Sequence, residues 1–304
     1  MKYFLPAVWI CLTLACTQEP TYRYLALGHI YRWDDTNDRM DPRIDSLDIS
    51  DYDGVWLLGD VTGRTSEDTA RLAYVDRKFG LTSASTHWAI GNHDLINGSR
   101  ERIEAFTGRR TAYAHPEIAP GLHLLILDTN LFAYPESSLK PERCARLEDQ
   151  FEVTHEAVRQ VPTGDRLIVL HHADLVPQHR VANTFPPLNH VWNFYHPEFW
   201  TDCTEGKTFT ERYLPLFDAA AERGVQVSFI GGDIGQRWKR FEYRDSVGIQ
   251  WLGTGINNSL DPAYAPDYVT NTTDPDEVLQ LIYRPADRSL RAKFVRLNDL
   301  LPRE

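Results

Sequence analysis

Short apolar runs that stop abruptly at glycine and a polar side chain recur along this chain. Tyr22–Leu27 ends at Gly28-His29, Val55-Trp56-Leu57-Leu58 at Gly59-Asp60, and Trp88-Ala89-Ile90 at Gly91-Asn92-His93-Asp94. Leu167-Ile168-Val169-Leu170 runs into His171-His172, and Val225-Gln226-Val227-Ser228-Phe229-Ile230 into Gly231-Gly232-Asp233. Runs this short and this apolar, bounded by turn residues, predict buried strands. Helical segments lie between them. Asp41-Pro42 opens one, because proline suits the first helical turn. Residues 66–79 predict another, with Ser66 as N-cap and Glu67 and Asp68 in the first turn. Further helices are expected over 99–106, over 141–161 between two prolines, and over 210–223 up to Gly224. Residues 111–130 predict a hairpin with arms 111–114 and 121–127, and with Pro116 and Pro120 in its turn. Short strands near 239–243, 247–252, 278–283 and 290–297 predict a chain that ends as a mainly antiparallel sheet. Strands and helices in this order fit an α/β layered sandwich, two sheets with helices outside.

Composition narrows the class. The 304 residues are 42% hydrophobic and 25% charged, with a formal net charge of -11. That is a globular composition with ample core. An acidic chain with no basic run longer than a pair such as Arg109-Arg110 is a poor partner for a polyanionic backbone, so no nucleic-acid partner is expected. Lys2 followed by an apolar stretch to Ala15 reads as a signal peptide over residues 1–16, too short to span a bilayer. Leu12-Thr13-Leu14-Ala15-Cys16 resembles a bacterial lipobox, although Thr13 stands where a branched aliphatic residue is usual. The expected protein is therefore exported, periplasmic or membrane-anchored through a lipid on Cys16, with one domain over residues 20–304. Cys144 and Cys203 remain, either as a disulfide permitted by export or as two lone thiols. Residues 173–209 are rich in proline and aromatics, and read either as a lid or binding loop or as an insertion packed on the surface.

The strand ends carry the chemistry. His29, Asp60, Asn92-His93-Asp94, His171-His172 and Asp233 all follow apolar strands. In open α/β sheets, ligands sit beyond the carboxyl ends of strands. One polar tip is ordinary. Five are not, because ionisable groups gather in a buried place only where something of opposite charge pairs with them. A mixture of His, Asp and Asn suits a divalent metal of the manganese, iron or zinc class better than the all-oxygen shells of calcium or magnesium. No Gly-x-Ser-x-Gly elbow points to a serine hydrolase instead.

Gly59-Asp60, then Gly91-Asn92-His93-Asp94, then a strand-terminal His171 resembles the calcineurin-like metallophosphoesterases over about residues 22–257. The resemblance implies a four-layer αββα sandwich and a metal centre that hydrolyses phosphoesters with a metal-activated water. It implies Asp60 as bridging carboxylate and Asn92 and His171 as ligands of one metal. His29 stands for the histidine of the first motif. It makes His93 the proton donor to the leaving group and Asp94 the carboxylate that orients His93. His172 is expected to point away from the metal. Two motifs depart from the pattern. Leu27 stands where the family has its first aspartate, and Gly232-Asp233-Ile234-Gly235 replaces Gly-His-x-His. One firm metal is expected at Asp60, Asn92, His171 and Asp233. The other half, left with Asp60 and His29, is expected weak or empty unless Asp34 or Asp35 completes it. The rival reading is a binding protein on the same scaffold whose catalysis has decayed.

Overall fold

The computed structural model describes residues 20–33, 36, 38–133, 141–181, 187–193, 203, 206–257, 269 and 274–302. The signal segment, Cys16, Asp34 and Asp35 lie outside these residues. In chain order the first half holds β1 (Tyr22–Leu27), α1 (Pro42–Ser46), β2 (Gly54–Leu57), α2 (Thr69–Phe79), β3 (Thr86–Trp88), α3 (Arg100–Thr107), β4 (Tyr113–Ala119), β5 (Leu122–Ile126) and α4 (Asn130–Ala133). The second holds α5 (Pro141–Gln160), β6 (Arg166–His171), α6 (Leu188–Val191), α7 (Phe209–Arg212), α8 (Leu214–Glu222), β7 (Gln226–Gly231), β8 (Arg240–Arg244), β9 (Gln250–Thr254), β10 (Glu277–Arg284) and β11 (Ser289–Arg296).

Two sheets form. One has the order β11-β10-β1-β2-β3, the other β4-β5-β6-β7-β9-β8. The strands β1, β2 and β3 run parallel, as do β5, β6, β7 and β9. Side-chain parity then sorts the core into layers. Leu25, Leu27, Val55 and Leu57 face α1, α2 and α3. Tyr24, Ala26, Trp56 and Leu58 meet Ile126, Ile168, Leu170 and Ile230 between the sheets. Leu167, Val169, Val227 and Phe229 face α5 and α8. This is the expected αββα sandwich.

Local expectations shift in instructive ways. The chain does not end as one antiparallel sheet. β9 lies parallel to β7 in the six-stranded sheet, while β10 crosses back and pairs antiparallel with β1 in the other. Helix α2 is capped by Asp68, whose side chain accepts from Arg71 N at 2.9 Å, because Ser66 Oγ is committed to the Asp94 carbonyl at 2.6 Å. The helix expected over 210–223 breaks at Tyr213, where Pro215 begins a new first turn. Pro116 lies within β4 instead of in a turn. It sits where the register shifts between His115 and Ala119, on an edge strand that tolerates a missing donor. Cys144 and Cys203 are joined as a disulfide. Closing a loop with a sequence separation of 59 tethers α5 to the segment before α7, a constraint worth about 4 kcal/mol on the unfolded-chain entropy account.

Burial also sets a pH response. His87 faces the inter-sheet layer with its Nδ1 3.1 Å from Tyr113 Oη. Burial first, then Arg109 and His115, pull its pKa from 6.5 down to about 3. Below pH 6.5 the unfolded chain takes up a proton that the folded chain refuses, so stability falls as pH drops from 6.5 toward 3. Urea unfolding at pH 6.5 and 5 should show a loss on the order of 2 kcal/mol from this group. His87→Gln should flatten that slope; an unchanged slope would discount His87.

Candidate metal centre

The carboxyl ends of the parallel strands converge, and the loops there are bent into conformations the chain would not choose alone. His29 and Asp60 both have positive φ, 52° and 55°. Non-glycine residues held there store strain of order 1 kcal/mol or more each, and such strain gathers at functional sites. Two glycines make the approach possible. A Cβ on Gly91 would stand 2.1 Å from Asp60 Oδ1, and one on Gly59, itself at φ +86°, 2.3 Å from His172 Nδ1.

His29, Asp60 and Asp233 are buried and offer ligand atoms that all lie within 4.8 Å of one another. His29 Nδ1 faces the Ile256 carbonyl at 3.2 Å, so as donor it leaves Nε2 with a lone pair, 3.9 Å from Asp60 Oδ2. His172 is arranged the same way. Its Nδ1 donates to Leu58 O at 2.8 Å, and Nε2 lies 3.2 Å from Asn92 Oδ1, 3.5 Å from Asp60 Oδ2 and 3.8 Å from Asp233 Oδ1. Asp233 Oδ1 accepts from Asn193 Nδ2 at 2.9 Å, while its Oδ2 is buried without a hydrogen-bond partner among the described residues. Acceptor atoms thus converge from five residues.

Charge in this centre is balanced by mutual pressure. Burial pulls His29 down to about 4, against the pull of Asp60. Burial also lowers His172, but the charges of Asp60 and Asp233 outweigh it and raise the ring above its ordinary value. Burial and Asp60 push Asp233 up to about 6, with His172 and Asn193 opposing. Burial raises Asp60, yet His172, His93 and His29 together hold it below its usual range. The two carboxylates thus hold the His172 ring up, while the converging acceptors have no donor among the described residues that reaches them all. A divalent cation would serve all of them at once, so the donor set fits a metal. Anchoring each histidine through Nδ1 to a carbonyl is how proteins fix an imidazole to ligate through Nε2.

Three expectations change here. His171 is not in this group. Its Nδ1 faces Ala173 O at 2.7 Å and its ring stacks with Trp192 and against Phe229, in the helix-facing layer. Successive strand residues point to opposite faces. Ile168 and Leu170 face the other sheet, so His172 continues their side and His171 cannot. Second, His29 and Asp233, expected to serve different metals, share one cluster. Third, Asp94 does not reach the His93 ring. Its carboxylate accepts from the backbone N–H groups of Asp60, Val61 and Gly91, from Thr65 Oγ1 and from Trp88 Nε1, at 2.6 to 3.3 Å. Burial and Asp60 push it up to about 6, so it remains ionised at neutral pH. His93 instead donates its backbone N–H to Asp60 Oδ1 at 2.9 Å, and its ring Nδ1 is buried without a hydrogen-bond partner among the described residues. At the departed positions, Leu27 is fully buried core, and the Gly235 carbonyl accepts from Lys239 Nζ at 3.1 Å.

Part of the 173–209 segment belongs to the core. Trp192 is buried and Asn193 reaches Asp233 through both its side chain and its N–H. Sequence reasoning misses Asn193, because nothing in an Asn within a long loop marks its partner.

No family model and no curated protein sequence matches the chain. Among solved structures, it is similar to phosphopantetheinyl hydrolase (PptH) from Mycobacterium tuberculosis, with a TM-score of 0.42, 16% identity, and coverage of 82% of this chain and 99% of that one. It is also similar to Vps29 of Chaetomium thermophilum, with a TM-score of 0.34, 11% identity, and 90% and 97% covered. A single mutant of Vps29 from Entamoeba histolytica gives a TM-score of 0.32 at 10% identity, with 90% and 98% covered. Likeness at this level carries no activity from those proteins to this one.

Proposed function

We propose that this chain is an exported, metal-dependent hydrolase of phosphoester bonds. The observation that carries the reading is the convergence of acceptors from buried His29, Asp60, His172 and Asp233 and half-buried Asn92, with no protein donor among the described residues positioned to satisfy them all. These residues would hold a divalent ion of the manganese, iron or zinc class. Such an ion, when bound, supplies an acidified water as nucleophile and draws charge from a phosphoryl oxygen. The protein's own groups do the rest. Asp60 fixes the backbone of His93 and so couples the ligand set to the proton donor. His93, whose backbone is tied to the ligand Asp60, would supply the proton to the leaving-group oxygen. Asn193 orients Asp233. Export is supported by the Cys144–Cys203 disulfide, which an oxidising compartment preserves; lipid attachment at Cys16 belongs to the same proposal.

The deciding assay is hydrolysis of p-nitrophenyl phosphate and its bis ester with zinc, manganese or iron added to metal-stripped protein, with Asp60→Ala as control. Activity that depends on metal and vanishes in Asp60→Ala supports the reading. His93→Ala should then lower turnover by about 10²-fold or more on esters of poor leaving groups; an unchanged rate there would remove His93 from the proton transfer. A second reading, a binding protein that has lost catalysis, is favoured by core Leu27 and by Gly235. No hydrolysis with any of the metals decides for it.

A further inference from the structure

Asp94 is not available to hold the His93 ring. A carboxylate offers about four lone-pair positions, and the five donors on Asp94 use them up. What lies against the imidazole is Tyr31. The two rings stack with centroids 4.9 Å apart and planes 23° from parallel. Tyr31 is itself fixed. It is 2% exposed, its N–H donates to Asp60 O at 3.2 Å, and its backbone bridges to Met40. The same ring also contacts His29, centroids 4.8 Å apart and tilted by 56°. Tyr31 thus touches both a histidine of the ligand cluster and His93.

We infer that Tyr31 is the positioning residue for His93: its ring face sets the plane of the imidazole in the role an acceptor carboxylate would otherwise fill. A flat face restrains the plane of a stacked ring without hydrogen-bonding to either nitrogen. An acceptor would occupy one of them. Offset stacking of this kind is attractive and geometrically specific. His93 gives up a proton to the leaving oxygen as the P–O bond breaks, so its angle matters most where that oxygen is a poor leaving group. The kinetic consequence rests on the phosphoesterase reading; the contact itself does not.

The test compares Tyr31→Leu and Tyr31→Phe in metal-loaded protein on p-nitrophenyl phosphate and on an alkyl phosphate. In Tyr31→Leu, kcat on the alkyl ester should fall about tenfold or more. KM should change little, and the p-nitrophenyl rate should fall by a smaller factor than the alkyl rate. Tyr31→Phe should restore the alkyl rate. Equal losses on both esters, or a change confined to KM, would overturn the assignment, as would a Tyr31→Phe variant no better than Tyr31→Leu. NMR of the metal-free protein reads the contact independently of activity. The carbon-bound ring protons of His93 should be shifted upfield in wild type and Tyr31→Phe and move downfield in Tyr31→Leu. If wild type hydrolyses neither ester, the phosphoesterase reading fails, and the NMR result still decides whether Tyr31 holds the ring. Unshifted His93 protons in wild type would end the inference even in an active enzyme.

Discussion

His172→Ala should lower kcat/KM for phosphoester hydrolysis by about 10³-fold or more, roughly 4 kcal/mol of transition-state stabilisation, whereas His171→Phe should leave most of the activity in place. The two histidines are neighbours in sequence and opposites in space. His172 Nε2 stands 3.5 Å from Asp60 Oδ2. His171 is packed among Trp192 and Phe229 in an aromatic layer. A phenylalanine at 171 suits that layer. Loss of metal binding in His172→Ala, read by elemental analysis after dialysis, should accompany loss of rate. If His171→Phe were the inactive variant and His172→Ala the active one, the centre described here would be wrong.

Asp94→Ala should act on the fold before it acts on catalysis. Five donors lose their acceptor, four of them from the two loops that present Asp60 and Asn92 and the other from Trp88 at the end of β3. A buried donor without an acceptor costs about 1–3 kcal/mol, so the loss in urea unfolding should exceed about 4 kcal/mol, the range reserved for broken buried networks. Were Asp94 chiefly to orient His93, Asp94→Ala would lower kcat and leave the unfolding midpoint unmoved. That outcome would contradict the hydrogen bonds to its carboxylate.

These two sites also mark where the sequence is legible and where it is not. The strands, their polar tips and the layered sandwich can be read because apolar runs of strand length ending in glycine have few other physical explanations. Asp60, Asn92, Asp233 and His29 are identifiable as candidates for the same reason. The choice between His171 and His172 is not available from β6, because Leu167-Ile168-Val169-Leu170 is apolar on both faces and shows no alternation to say which parity looks inward. Only the partner layers reveal it. Asp94 escapes a reading by motif because a motif gives a residue's neighbours in sequence, while most of its hydrogen-bond partners come from a loop 29 to 34 residues away. The C-terminal strands mislead for a similar reason: each of the four is readable, but which sheet receives it depends on a crossover that leaves no local mark. Tyr31 carries no signal at all, since an aromatic beside a strand end is ordinary core material.

The left-handed backbone at His29 and Asp60 has a consequence for the protein's evolution under heat. Both residues occupy a region that glycine or asparagine enters more easily, and both are fixed there by what their side chains hold. Selection for thermal endurance alone, with catalysis unmonitored, should accumulate asparagine at position 60 early, since it enters this region more easily and its side-chain oxygen can still accept from the His93 N–H. Selection that also demands hydrolysis should keep both residues and place its gains elsewhere. The two lineages would diverge first at position 60, and the heat-hardened one would be an inert shell.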